Sequence, residues 1–233
     1  MEASQPRGIR SFVLRAGRMT EAQRRALDIL WPKYGCEFAA QPLDLDAIFG
    51  RAAPRVLEIG FGNGENVAAL AQAHPERDYL GVEVHRPGVG RLLLAAEAAG
   101  LTNVKIICHD AVAVLEQQLA PRSIDETLIL FPDPWPKKRH HKRRLIQMPF
   151  VELVASRLKP GGILRLATDW KPYAEQMFEV LTGCAALENL SSDGACAAPG
   201  DTRIATRFER RGQRLGHGVW DFAFRKKLPE PTH

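Results

Sequence analysis

Short apolar runs and amphipathic segments alternate along most of the chain. Thr20 and Gln23 have the spacing of a helix capping box, and apolar residues follow at roughly helical intervals until Pro32. A short helix is expected near residues 43–49. Buried-strand patterns are predicted at 56–59, 79–84, 104–108, 127–131 and 163–167. Helical patterns separate or follow them at 65–74, 90–99, 111–119, 146–158 and 172–181.

This alternation predicts an α/β fold with a parallel sheet and helices on both of its faces. Residues 1–50 are interpreted as a basic, partly flexible N-terminal extension with one helix near 20–31, and residues 51–233 as the main domain. A loop is expected at 183–200 and a closing strand at 216–224. Because such sheets bind ligands at the carboxyl ends of their strands, the residues after each strand are the candidates for a functional site.

Composition narrows the class of protein. A chain of 233 residues, 45% hydrophobic and 25% charged, is typical of a globular domain with an extension, which argues against a disordered or fibrous protein. The apolar runs are too short for a membrane span, and the start lacks a signal-peptide core, so a cytoplasmic protein is expected. The four cysteines form no C-x-x-C pair, which argues against disulfides and against a metal site.

Charge is distributed unevenly along the chain. Residues 51–136 carry a net charge of −4, whereas residues 137–233 carry a net charge of +8. Six of the eight residues at 137–144 are lysine or arginine. An acidic part joined to a basic part indicates a small-molecule site beside a surface for a polyanion, although a solvated charged face would give the same pattern.

A glycine-rich loop follows the first predicted strand. Glu58 precedes the run Gly60-Phe61-Gly62-Asn63-Gly64, a G-x-G-x-G pattern, and Glu65 comes next. A dinucleotide site would need G-x-G-x-x-G and a phosphate at the helix N-terminus, where Glu65 would repel it. Acidic residues around this loop suit a cationic, amine-bearing ligand such as S-adenosylmethionine. A tight turn without a ligand is the alternative.

Carboxylates also follow the second and third predicted strands. Glu83 could accept hydrogen bonds from both hydroxyls of a ribose, and a solvated carboxylate is the alternative. Asp110 could accept from an adenine amino group, cap the following helix, or do both.

The fourth predicted strand runs into Phe131-Pro132-Asp133-Pro134-Trp135-Pro136. Three prolines stiffen this loop and pre-organise Asp133 and Trp135. The basic run at 137–144 follows directly and would attract phosphates, with an affinity that depends on salt. Asp169 and Trp170 follow the fifth strand. A rigid structural turn is the alternative for the loop.

These motifs together resemble those of the bacterial tRNA (guanine-N7)-methyltransferases, which have the class I S-adenosylmethionine-dependent fold. The resemblance runs from about residue 55 to residue 226. Its most specific pieces are residues 60–64, 80–85, 108–111, 131–135, 167–170 and 214–221. The resemblance implies a Rossmann-like, mostly parallel sheet of seven strands.

The resemblance also implies a reaction: transfer of a methyl group to N7 of a guanosine in the tRNA variable loop, at conventional position 46. It implies Asp133 as the catalytic residue and no obligate protein partner. The implied cofactor-binding residues are Glu58, Gly60, Gly62, Glu83, Asp110 and Asp133. The residues implied to hold the target nucleotide are Lys137, Asp169, Thr206, Arg207, Phe208 and Glu209. Those implied to contact RNA are Arg139, His140, His141, Lys142, Arg143 and Arg144.

Three other functions remain open from the residues themselves. The Pro-Asp-Pro-Trp loop partly resembles the Asn/Asp-Pro-Pro-aromatic loops that serve methylation of amino groups in nucleic acids or of a protein amide. A nicotinamide-dependent oxidoreductase is a second alternative, against which Glu65 and the glycine spacing argue. A non-catalytic RNA-binding module that kept the fold is the third.

Overall fold

Seven strands form one sheet in the computed structural model, which describes residues 18–191 and 218–229. In chain order they are β1 (Arg55–Ile59), β2 (Asp78–Val82), β3 (Val104–Ile107), β4 (Ile124–Leu130), β5 (Leu158–Thr168), β6 (Leu187–Asn189) and β7 (Trp220–Lys226). The spatial order is β3-β2-β1-β4-β5-β7-β6. Strands β1 to β5 pair in parallel, and β7 runs antiparallel to both β5 and β6. The predicted parallel α/β sheet is confirmed.

Helices precede, connect and follow the parallel strands. They are α1 (Glu21–Ile29), α2 (Trp31–Tyr34), α3 (Leu45–Phe49), α4 (Glu65–Ala73), α5 (Arg86–Ala98), α6 (Ala111–Gln117), α7 (Met148–Arg157) and α8 (Lys171–Gly183), with a 3₁₀ helix, η1 (Lys138–Arg143). Strand β1 has β2 on one side and β4 on the other, so the order of the strands reverses there. Ligands bind in the crevice that such a reversal opens at the carboxyl edge.

Apolar side chains pack on both faces of the sheet. Val56 and Leu57 are neighbours on β1 but belong to two different buried clusters. The cluster with Val56 includes Tyr34 and residues of α1, α4 and α5, and the other includes residues of α6, α7 and α8. A strand covered on both faces has no side that faces solvent, and all five residues of β1 are buried, including Arg55 and Glu58.

The predicted capping box of α1 is confirmed. Thr20 Oγ1 accepts from the Gln23 N–H at 3.2 Å, and Gln23 Oε1 accepts from the Thr20 N–H at 2.8 Å.

Residues 18–50 pack on the sheet and its helices. Arg55, at the start of β1, forms ion pairs with Asp46 at 2.6 Å and with Asp78 at 2.8 Å. Asp78 is fully buried.

Several element boundaries differ from the prediction. Pro32 does not end the helical region but lies in the first turn of α2, where a proline needs no amide hydrogen bond. Strand β5 begins at Leu158, the last residue of the helix predicted at 146–158. Residues 159–162, between that helix and the strand predicted at 163–167, therefore lie within β5, next to an irregularity in its pairing with β4.

Strand β6 lies inside the segment predicted as a loop at 183–200. It is three residues long and, within the described part of the chain, pairs only with β7 at the edge of the sheet, so it leaves little trace in the hydrophobic pattern. The predicted closing strand is present as β7, although its bounds are shifted toward the C-terminus.

Candidate functional site

The carboxyl ends of β1, β2, β3 and β4 open into a cleft of about 230 Å³. Gly60, Glu83, Asp110 and Asp133 line it, each contributed by the segment that follows a different strand. Its apolar lining includes Ile59, Val84, Ala111 and Leu130. The structure therefore brings together four of the residues selected from the sequence, while Gly62 and Glu58 lie directly beside them.

The glycine loop requires left-handed backbone. Gly60 has a φ of 73° and Gly62 a φ of 57°, and a Cβ built on either residue would meet no atom within 4 Å. The conformation, and not crowding by protein atoms, explains why glycine is needed at both positions. The open space over the loop lets a ligand approach the main chain closely.

Main-chain amides hold the Glu83 carboxylate in place. It accepts hydrogen bonds from the N–H groups of Gly62 at 2.8 Å, Val84 at 2.7 Å and His85 at 2.9 Å. The side chain is 8% exposed and lines the cleft. This carboxylate is therefore oriented before a ligand arrives, and it suits a partner that donates hydrogen bonds, such as a sugar hydroxyl.

Glu58 lies behind the glycine loop in a buried environment. Its Oε2 accepts from Asn66 Nδ2 at 2.7 Å, and the residue is 4% exposed. Burial raises the pKa of Glu58 to about 7; the Asn66 hydrogen bond lowers it and the nearby Glu83 charge raises it further. The carboxyl is thus close to half protonated at neutral pH. A cationic ligand nearby would favour its charged form.

Asp110 caps helix α6. Its Oδ1 accepts from the N–H groups of Val112 at 2.8 Å and Ala113 at 3.2 Å. The capping role left open by the sequence is confirmed, and its role toward an adenine stays a prediction. Next to it, His109 stacks on Phe38 with ring centroids 3.7 Å apart. Phe38 comes from the N-terminal extension, and no sequence signal connected it with the cleft wall.

The proline-rich loop carries Asp133 between two strained positions. Phe131 and Trp135 have φ values of 51° and 44°, which are unfavourable for residues with a Cβ. Such strain costs about 1–3 kcal/mol at each residue and concentrates at functional sites. The Phe131 N–H donates to Ala167 O at 2.8 Å, which joins the start of the loop to β5. Asp133 itself is exposed at the cleft.

The basic run begins immediately beyond this loop. Residues 137–143, the basic turn, consist of exposed Lys137 and the η1 helix. The Arg143 guanidinium lies 5.0 Å from the centre of the Trp135 ring, and His140 meets the same ring edge-on at 5.8 Å. Desolvation, and then the cations around it, lower the pKa of His140. The basic turn thus forms a cationic surface beside Asp133.

Arg144, which is predicted to contact RNA, has a buried side chain. It is 3% exposed, and its Nε donates to Pro134 O at 2.8 Å while Nη1 donates to Gln176 Oε1 at 2.6 Å. The guanidinium is thus bonded to oxygens of the protein in this structure, and its role toward RNA stays a prediction. The run of charges in the sequence does not reveal which side chain points inward.

Asp169 follows β5, the neighbour of β4, so it emerges at the same sheet edge as Asp133. Trp170 is the N-cap residue of α8 and packs against the core. The remaining predicted nucleotide-binding residues, Thr206, Arg207, Phe208 and Glu209, lie outside the described residues.

Within residues 18–191 and 218–229, no three His, Cys, Asp or Glu side chains are placed to hold a metal ion. No helix in the same part of the chain is long and apolar enough to cross a membrane.

A family model for putative methyltransferases matches residues 52–222. The chain is also similar to tRNA (guanine-N(7)-)-methyltransferases of Sodalis glossinidius (strain morsitans), Yersinia pestis (strain Pestoides F) and Serratia proteamaculans (strain 568). The identities are 54%, 54% and 53%, each over 95% of this chain and over 93%, 92% and 92% of the respective relative.

Solved structures with a similar fold include methyltransferases. The 16S rRNA methyltransferase KamB superposes with a TM-score of 0.54 at 16% identity, covering 91% of this chain and 96% of KamB. A SAM-dependent O-methyltransferase from Thermotoga maritima gives a TM-score of 0.50 at 16% identity, covering 77% of this chain and 62% of that one. These similarities concern the fold alone, and they confirm the predicted seven-stranded class I methyltransferase architecture.

Proposed function

The chain belongs to the tRNA (guanine-N7)-methyltransferase family, and on this premise we propose that it methylates a guanosine of the tRNA variable loop, at conventional position 46. Four strand ends, each followed by a carboxylate or a glycine, meet at one cleft directly beside the basic turn. This convergence is the observation that carries the proposal. A cytoplasmic location is part of the same proposal because tRNA is the substrate.

The cleft fits S-adenosylmethionine by its chemistry. When bound, this cofactor supplies a methyl group on a positively charged sulfonium. Glu83 is oriented to accept from ribose hydroxyls, and the open space over Gly60 and Gly62 allows close approach to the main chain. Glu58 and Asp133 add negative charge near a cationic ligand, and Asp110 would receive the adenine amino group. Acidic side chains on several sides suit a cation and disfavour a pyrophosphate.

The chemistry needs no general base. Guanine N7 carries a lone pair and no proton, and methylation leaves a positive charge on the ring. We propose that Asp133 or Asp169 accepts from the N1 and N2 hydrogens on the opposite edge of the guanine, which leaves N7 free. A carboxylate there also stabilises the developing positive charge. Asp133 therefore positions and stabilises, and it does not remove a proton.

The surrounding residues would hold the RNA. Lys137, next to the loop, would contact the target nucleotide together with Asp169 and the segment Thr206-Arg207-Phe208-Glu209. Arg139, His140, His141, Lys142 and Arg143 would meet the phosphate backbone. Because the target base makes tertiary contacts in folded tRNA, it has to leave its stack before it reaches the cleft.

The test incubates the protein with labelled S-adenosylmethionine and an unmodified tRNA transcript. Borohydride reduction and aniline then cleave the RNA at 7-methylguanosine. A single cut in the variable loop is expected, and a transcript with adenosine at that position should give none. Label in the RNA without a cut would favour methylation of an amino group instead.

Two variants separate the proposed roles. Asp133→Ala should lower the rate constant of methyl transfer with little effect on tRNA binding. Lys137→Ala should weaken tRNA binding and make it less sensitive to salt. A steep fall of the wild-type rate at the pKa of a single essential base would contradict the proposed role of Asp133.

A further inference from the structure

Arg144 contacts three segments of the active-site edge at once. It directly follows the η1 helix and therefore the basic turn. Its Nε donates to Pro134 O at 2.8 Å, so it holds the residue immediately after Asp133. Its Nη2 lies 3.1 Å from His141 Nε2; because a guanidinium only donates, that nitrogen is the acceptor.

The same guanidinium reaches helix α8. Nη1 donates to Gln176 Oε1 at 2.6 Å and lies 3.5 Å from Pro172 O, and the guanidinium sits 4.8 Å from the centre of the Tyr173 ring. Helix α8 begins two residues after Asp169. Arg144 therefore lies between the loop that carries Asp133 and the helix that follows Asp169.

Further hydrogen bonds join the segment that carries Arg144 to helix α8. Gln176 Nε2 donates to Ile146 O at 3.1 Å, and the Ile146 N–H donates to the Tyr173 hydroxyl at 3.1 Å. Tyr173 and Ile146 are fully buried. The segment that carries Arg144 is thus also fastened to α8 through Ile146, two residues after the arginine.

We propose that Arg144 is a positioning residue, which ties the Asp133 loop to helix α8 and so maintains the spacing of the two carboxylates that frame the guanine. This inference rests on the proposed function of the site. Arg144 touches neither substrate nor cofactor and acts through Pro134 and Gln176. Its neighbour Arg143 faces Trp135 at the surface, so adjacent arginines of one basic run have different tasks.

Only arginine suits this position. Its planar fork directs separate N–H groups toward Pro134 O, Gln176 Oε1 and His141 Nε2, whereas a lysine is a single point donor on a flexible stem. The oxygens that receive these bonds are neutral, so the buried charge is poorly compensated and adds little stability by itself. Burying this cation costs free energy, so its presence is better explained by the segments that it holds in place.

The test measures the rate constant of methyl transfer in a single turnover, because this rate constant does not depend on the fraction of protein that is folded. Arg144→Lys and Gln176→Ala should each lower it by about 10- to 100-fold, the range expected when reacting groups are misplaced by about 1 Å. The dissociation constant for tRNA should stay within about threefold, and the salt dependence of binding should not change. Effects of the two variants should be less than additive in the double variant, because both break one linkage.

Lys142→Ala is the matched comparison, since it removes an exposed cation two residues away. It should weaken tRNA binding and reduce the salt slope by about one unit. If Arg144→Lys instead behaves like Lys142→Ala, Arg144 contacts RNA and the positioning role is overturned. Unchanged rates in both Arg144→Lys and Gln176→Ala would overturn it as well.

Two controls keep the outcomes distinct. Stoichiometric binding of S-adenosylhomocysteine shows that each variant is folded, and Gln176→Ala tests the linkage even if Arg144→Lys does not fold. Wild-type protein that transfers no methyl group to tRNA would overturn the proposed function and the positioning role with it. Active wild-type protein with additive, binding-only effects would overturn the positioning role alone.

Discussion

Replacing Glu58 by glutamine should stabilise the cofactor-free protein at neutral and alkaline pH. The carboxyl is 4% exposed, and burial raises its pKa from 4.5 to about 7. Glutamine has nearly the same shape and no charge, and its carbonyl oxygen can still accept from Asn66 Nδ2. The substitution therefore removes the penalty for burying a negative charge and leaves the packing in place.

The pH window follows from the direction of the shift. Below pH 4.5, Glu58 is protonated in both the native and the unfolded chain, so it imposes no penalty. Between pH 4.5 and about 7 the native protein keeps a proton that the unfolded chain has lost, and the free energy of unfolding falls as the pH rises. The free energy of unfolding falls by about 1.4 kcal/mol per pH unit, so the total loss above that window is about 3 kcal/mol.

Urea unfolding across this pH range measures the effect. The difference in unfolding free energy between Glu58→Gln and wild type should grow from near zero in mild acid to about 3 kcal/mol at about pH 8. Glu116→Gln, which removes an exposed carboxylate on α6, should show no such growth. A Glu58→Gln protein that is less stable than wild type at alkaline pH, or a difference independent of pH, would refute the reasoning. The same variant should also bind S-adenosylmethionine more weakly.

Three further predictions concern other parts of the molecule. Gly60→Ala and Gly100→Ala should each lower the free energy of unfolding by about 1–2 kcal/mol in urea titrations, because both residues have positive φ, but only Gly60→Ala should weaken cofactor binding in calorimetry. Asp78→Asn should cost about 3–5 kcal/mol by urea unfolding, whereas Asp46→Asn, at an exposed partner of the same network, should cost under about 1 kcal/mol. Desolvation and the neighbouring cations lower the pKa of His140, and bound phosphates would favour its charged form. The tRNA affinity measured by filter binding should therefore rise as the pH falls in the wild type, and this rise should be absent in His140→Gln.

The cleft was predictable because its residues follow strands. Continuous apolar runs mark the buried strands of a parallel sheet, and the polar residues just after them meet at one edge. Gly60, Glu83, Asp110 and Asp133 were selected in this way, and all four line the cleft. The parallel order itself follows from the strand–helix alternation.

Features set by tertiary packing were not predictable from a single sequence. Arg144 stands among similar cations, and only the position of Gln176 and Pro134 in space shows that it is buried. Phe38 reaches His109 across 71 positions of the chain, and neither residue lies in a periodic pattern that links them. Strand β6 depends on pairing with β7 more than on its own three residues.

A tRNA with 7-deazaguanosine at the target position tests the central claim most directly. This nucleoside keeps the N1 and N2 hydrogens that the carboxylates are proposed to hold, but it has a C–H group in place of N7. The altered tRNA should compete with unmodified tRNA for the protein at similar affinity and should receive no labelled methyl group. Methyl transfer to it at the wild-type rate would show that the acceptor atom is not N7 and would contradict the account.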